Sequence, residues 1–270
     1  MAVAKERLDK LLLLRNLCSS RERARALIMA GQVLVAETVC DKAGTRVALD
    51  AAIRLRGADI PYVSRGGVKL EQGLKSFCVE VAGRIAMDVG ASTGGFTDCL
   101  LQNGARLVYA VDVGYGQLAW SLRENGRVIN LERTNIRELD AALLNPLPDL
   151  AVIDASFISL EKVLPATLLR LAFPADVIAL IKPQFEVGRG KVGKGGVVRD
   201  SSLHEAVIAK IQKLAESLNC RVEGLCESPI LGPKGNREFL IHLHCECLES
   251  VRASARLIEP VVPSSPEVTC

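Results

Sequence analysis

Hydrophobic positions change rhythm along this chain, and the change divides it. Over residues 5–16, Leu8, Leu11 and Leu12 recur at helical spacing. Ser19 and Glu22 form a capping-box pattern that opens a second helix, which Gly31 closes. Short β-type runs follow at 32–36 and 45–49, with turn residues at 41–44 between them. A helix pair and a small β unit therefore fill residues 1–58. Pro61 disfavours helix on either side, so 59–65 reads as a linker. A helix is expected over 66–77, and then the pattern alternates. Strands are predicted at 84–89, 106–112, 127–131, 149–154 and 176–182, with helices at 94–103, 116–124, 136–144 and 159–171 between them. A glycine-rich loop leads to a helix at 201–218 and strands near 220–227 and 237–246. Such alternation gives a parallel sheet covered by helices. The last two strands have no helix between them, so the final one must return antiparallel. The expected architecture is α/β. A seven-stranded, doubly wound, Rossmann-like sheet with an antiparallel last strand spans 66–248, behind a small N-terminal α+β domain. A flexible tail occupies 249–270.

The stretch DVGASTGGFT, residues 88–97, joins the first strand of the sheet to its first helix. An acid, a glycine turn and a helix N-terminus in this order outline a nucleotide-cofactor site. A dinucleotide site needs G-x-G-x-x-G and receives a pyrophosphate at the helix N-terminus. This loop is G-x-x-x-G-G and follows Asp88. S-adenosylmethionine has no phosphate and carries an ammonium and a sulfonium, which suit a carboxylate. Gly90 permits the tight turn, and Gly94 and Gly95 are expected to let the backbone approach the ligand. Asp112 ends the next strand, 22 residues after Gly90, where a ribose diol is held.

Open α/β sheets react at the carboxyl ends of their strands. Asp154 and Lys182 end strands there, Glu238 opens the reversed strand at the same edge, and Lys69 lies on the preceding helix. A ribose hydroxyl is a poor nucleophile and must lose its proton as it attacks. One lysine takes that proton if a second lysine nearby lowers its pKa, and the two carboxylates hold both in place. Alignment of the reacting atoms matters most.

Composition narrows the class. Apolar content of 49% supports a packed core. No apolar run reaches the ~18 residues needed to span a bilayer, and the charged start lacks a signal-peptide core, so a cytoplasmic protein is expected. The nine cysteines include no CxxC pair, which favours reduced thiols. His242, His244, Cys245 and Cys247 cluster in HLHCEC, but a strand sends the histidines to one face and the cysteines to the other, so no metal is expected. Net charge is +3, yet residues 1–80 hold 14 Lys and Arg against 9 Asp and Glu, leaving 20 against 22 for the rest. That surplus points to an anionic partner for the N-terminal part. Only 4% of residues are aromatic, which fits folded RNA better than a stacking platform for single strands. The segment GRGKVGKGG, 188–196, nearly forms a P-loop, but Gly195 stands where a Ser or Thr must hold magnesium. The loop is instead expected to close on RNA through Arg189, Lys191 and Lys194.

The N-terminal stretch RLDKLLLLRNLCSSRERARALIMAGQVLVAETVCDKAGTRV resembles the small RNA-binding domain named after ribosomal protein S-four. There, basic residues on the helix pair grip phosphates of structured RNA; Arg7, Arg21, Arg25 and Arg65 are the candidates here. Nearly the whole chain resembles the TlyA (hemolysin A-like) family of RNA 2′-O-methyltransferases with an FtsJ-like catalytic half, through SRGGVKLEQ, DVGASTGGFT, YAVDVGYGQL, VIDASFISL, LIKPQFEVGRGKVGKGGVVRD and GPKGNREFL. The resemblance implies S-adenosylmethionine as cofactor, a ribose 2′-hydroxyl of cytidine as acceptor and ribosomal RNA, within assembled subunits, as partner of a monomer. It places the catalytic set on Lys69, Asp154, Lys182 and Glu238, with Lys182 handling the proton. Cofactor contacts are implied at Asp88, Gly90, Ala91, Ser92, Gly94, Gly95, Phe96 and Asp112, and at Asn135 and Ile136 on the adenine edge. Two other readings compete: a non-catalytic RNA-binding module, and a membrane-active haemolysin, as the family's older name has it. The second needs a long amphipathic or spanning segment, and the leucine run at 11–14 is too short.

Overall fold

The computed structural model describes residues 4–15, 17–18, 20–29, 31–55, 60–188, 190–193 and 195–247. The chain forms two compact units, Met1–Pro61 and Tyr62–Cys270.

In the smaller unit, β1 (Lys5–Arg7) precedes α1 (Leu8–Leu14), and α2 (Arg21–Met29) follows. Four short strands complete it: β2 (Val33–Val35), β3 (Thr38–Val39), β4 (Arg46–Ala48) and β5 (Ile53–Leu55). The expected first helix thus starts late, because Lys5–Arg7 pairs antiparallel with Arg46–Ala48. β3 and β5 flank β2 in a second small sheet. Such two- and three-residue strands carry too little alternation to be read from sequence. Leu8, Leu12, Ala24, Leu27, Ile28 and Val33 form the core. Ser20 is the residue before α2, and its Oγ accepts the Arg23 N–H at 3.1 Å; the expected cap, Ser19, lies outside the described residues.

The larger unit begins with α3 (Gly66–Phe77) and continues β6 (Ile85–Val89), α4 (Gly95–Gln102), β7 (Leu107–Val111), α5 (Trp120–Arg123), β8 (Val128–Leu131), β9 (Leu150–Ile153), α6 (Leu160–Leu168), β10 (Ala175–Ile181), α7 (Pro183–Glu186), α8 (Ser201–Ser217), β11 (Arg221–Glu227) and β12 (Phe239–Cys245). One seven-stranded sheet has the order β11-β12-β10-β9-β6-β7-β8, with β12 antiparallel to both neighbours. β9 is wholly apolar, and β6 and β10 are apolar but for Asp88 and Asp176, because helices cover both faces. Ile181 pairs with Phe239, so the register sets Glu238 across from Lys182.

Four expectations need correction. Residues 62–65 belong to the larger unit rather than to a linker: Tyr62 is buried, and the Val63 N–H donates to Asp98 Oδ2 at 2.8 Å. The helix expected at 136–144 is a single 3₁₀ turn, Ala141–Leu143, opened by Asp140, whose side chain accepts the Ala142 N–H at 2.9 Å. The helix at 116–124 shrinks to α5, and α7 adds a turn that was not anticipated. Cys220 and Cys245 form a disulfide, since adjacent antiparallel strands bring their Cα atoms to 4.5 Å. Cys245 therefore turns away from His242 and His244, which both meet Asp176 Oδ1, at 3.0 and 2.9 Å. No helix among the described residues is long and apolar enough to cross a membrane.

Candidate active site

Two lysine–carboxylate pairs stand at the carboxyl edge of the sheet. Lys182 leaves β10 and puts Nζ 2.6 Å from Asp154 Oδ1, at the end of β9. The same ammonium donates to Ser156 Oγ at 2.8 Å and to the Asp154 carbonyl at 3.2 Å. Lys69, on the first turn of α3, donates to Glu238 Oε2 at 2.6 Å. Both lysines are buried and Glu238 is fully so. Each lysine therefore has its own counter-charge. Asp154 and Glu238 neutralise the two lysines, because unpaired charges this deep would be costly.

A cavity of about 310 Å³ opens over these pairs, lined by Lys69, Gly90, Phe96, Asp154, Lys182 and Leu231 among others. A second, of about 370 Å³, shares Gly90, Ser92, Asp154 and Ser156 with it and runs on to Asp112, Asn135 and Ile136. Asp112 stands rigid at this end, its two oxygens accepting the N–H groups of Ser92 at 2.7 Å and Gly114 at 2.6 Å. Gly90 has φ +89°, and a Cβ there would fall 2.9 Å from the Asp154 carbonyl oxygen, so only glycine leaves the floor open. Val111, Ile136, Ile158 and Val163 form an apolar slot for a flat base. The described lining of the second cavity holds two carboxylates and no cationic side chain. That set fits a cationic adenosine cofactor without phosphate, and it does not fit a dinucleotide.

Residues 62–245 match the FtsJ-like methyltransferase family, and residues 6–53 match the S4 domain. The chain belongs to the FtsJ-like methyltransferases. It is 49% identical over 245 residues to the Bacillus subtilis protein YqxC, whose name calls it a candidate rRNA methyltransferase, covering 90% of this chain and 87% of that one. It is 45% identical over 241 residues to the 16S/23S rRNA (cytidine-2′-O)-methyltransferase TlyA of Mycobacterium tuberculosis, covering 89% and 90%. A solved structure described as a hemolysin from Streptococcus thermophilus superimposes with a TM-score of 0.70 at 43% identity, covering 95% of both chains. This FtsJ-like methyltransferase uses S-adenosylmethionine.

Not every expected residue faces the cofactor cavity. Gly90, Ala91, Ser92, Gly95, Phe96, Asp112, Asn135 and Ile136 line one cavity or the other. Asp88 does not. It is fully buried under the loop, where Oδ2 accepts the Thr97 N–H at 2.9 Å and the Thr97 hydroxyl at 2.7 Å. Burial pushes its carboxyl up to about 7, against the opposing hydrogen bonds from Thr97. Gly94 also faces away: a Cβ there would lie 2.2 Å from Leu122 Cδ1, so glycine is needed for packing against α5. Glu238 holds Lys69 without lining the cavity.

Other residues were missed. Ser156 touches Lys182. Phe157 is 91% exposed at φ +63°, and its ring lies 5.1 Å from that of Phe185. A phenylalanine in the polar loop after VID was the available signal. Glu186 on α7 accepts the Leu160 N–H at 2.8 Å and the Ser159 hydroxyl at 2.6 Å, tying the segment that bears Lys182 to the one that bears Asp154. Arg65 lines the first cavity and donates to the Leu231 carbonyl at 2.9 Å. Arg7, Arg21 and Arg25 converge on Asp9 in the smaller unit. Lys191 is exposed, while Arg189 and Lys194 lie outside the described residues.

Proposed function

We propose that this enzyme methylates the ribose 2′-hydroxyl of a cytidine in ribosomal RNA, acting in the cytoplasm as a monomer on assembled ribosomal subunits. The observation that carries the reading is the junction of the two cavities, where a cation-free, acid-lined slot meets the Lys182–Asp154 pair. S-adenosylmethionine supplies an electrophilic methyl group on a sulfonium. Lys182 Nζ holds the 2′-oxygen in line and takes its proton while passing one to Asp154 Oδ1. Lys69, fixed by Glu238, lines the same cavity and adds positive charge beside the sugar–phosphate backbone. Phe157 offers an exposed face on which a base turned out of its helix can stack. The smaller unit grips phosphates of folded RNA. The name of the Mycobacterium tuberculosis relative, which specifies cytidine and ribosomal RNA, agrees with this acceptor.

The test is transfer of labelled methyl from S-adenosylmethionine to separated ribosomal subunits and to naked ribosomal RNA, followed by mapping of the modified ribose. Lys182→Ala should abolish incorporation while calorimetry finds cofactor affinity unchanged. Full turnover by that variant would remove Lys182 from the reaction.

A further inference from the structure

Three guanidiniums gathered on one side of a small domain should repel one another and scatter. In the smaller unit they do not. Arg7, preceding α1, reaches Asp9 with Nε at 2.9 Å and Nη2 at 3.0 Å. From α2, Arg21 and Arg25, one turn apart, bring their Nε atoms to Asp9 Oδ2 at 3.2 and 3.5 Å. The Asp9 side chain is 0% exposed, whereas the three arginines are 39%, 41% and 52% exposed. A single buried carboxylate thus holds three accessible cations.

The division of donors matters. Arg21 and Arg25 use Nε towards Asp9, and no described residue takes their Nη atoms. One negative charge against three positive leaves a surplus of two. The hydrogen bond from Arg7, with support from Arg21, keeps the Asp9 carboxyl well below the usual range despite its burial, so it stays charged. Fixed, outward Nη pairs are the geometry that phosphate oxygens accept in two-point fashion.

We infer that Asp9 is a positioning residue for RNA binding: it gathers Arg7, Arg21 and Arg25 into a pre-formed receptor for backbone phosphates of folded RNA. The inference rests on the reading that this unit grips RNA. Its physical content is that the side chains lose their freedom in the folded protein, before the RNA arrives. The sign of the effect therefore runs against bulk charge. Removing Asp9 makes the surface more positive, and a purely electrostatic surface would then bind RNA more tightly.

The experiment uses the full chain and a labelled stem-loop RNA, with binding followed across a salt series. Asp9→Asn should weaken binding about tenfold and reduce the slope of log K against log salt, because fewer phosphates are neutralised at once. Unchanged or tighter binding by a folded Asp9→Asn protein overturns the inference. Should that variant lose the fold, the double variant Arg21→Lys with Arg25→Lys decides: it keeps every charge but loses both Nε contacts. Several-fold weaker binding at equal charge supports the receptor, and wild-type binding refutes it. Charge reversal of Arg21 and Arg25 to Glu separates the two levels. If reversal leaves affinity intact, the RNA-binding reading of this face itself fails. If reversal weakens binding while the other variants do not, only the positioning role of Asp9 fails.

Discussion

Asp88 shows how little a spacing says about the side of a strand on which a residue works. Its position before a glycine turn was legible, but its partner Thr97 lies on α4, and the pair is sealed beneath the loop. The consequence is a pH dependence with a definite sign. The carboxyl titrates near 7 when folded and near 3.8 in its ordinary state. Between these values the folded chain keeps a proton that the unfolded chain has released, so stability falls as pH rises through this window and levels off above it. Asp88→Asn should remove that slope, as read from denaturant melts of the cofactor-free protein at successive pH values. A slope equal to wild type would show that Asp88 is not its source. Lys182 and Asp112 were easier to read, because both stand at strand ends, where the topology alone fixes the edge. The exposure of Phe157 and the steric demand on Gly94 were hidden, since both depend on neighbours distant in sequence.

At the scale of elements, long apolar strands were visible and short helices were not. β6, β9 and β10 sit within a residue or so of their expected bounds, because burial on both faces leaves a mostly apolar run. α7 is a single turn whose existence depends on what Glu186 binds rather than on its own pattern. Glu186→Gln should therefore loosen the joint between the segments that carry Lys182 and Asp154. Its expected signature is a fall in kcat of about tenfold with cofactor affinity little changed and stability lower by about 1–2 kcal/mol. An unaltered kcat would make the contact merely structural. The Cys220–Cys245 bridge makes a second element-scale prediction. It closes a separation of 25 residues between neighbouring strands. Reduction should cost about 3.5 kcal/mol of unfolding free energy by the chain-entropy relation. Both thiols should also escape alkylation until a reductant is added. Labelling without reductant, read by mass spectrometry, would contradict the bridge.

On the scale of the whole molecule, the two units have separate cores and opposite tasks. Leu8, Leu12 and Ile28 anchor one, while Met87, Ile153 and Ile181 belong to the other. The uneven charge was plain from composition and falls on the unit with the arginine cluster, whereas the acid-lined slot lies in the other. S-adenosylmethionine should accordingly raise the melting transition of the larger unit alone, by about 2.7 kcal/mol at a hundredfold excess over Kd. Calorimetric scans with and without the cofactor check this, and an equal rise of both transitions would tie the units together. The reversed final strand has one more consequence. Because β12 enters the sheet at the reacting edge, the carboxylate that holds Lys69 comes from 169 residues further along the chain, so this half of the candidate site is assembled only when β12 docks against β10.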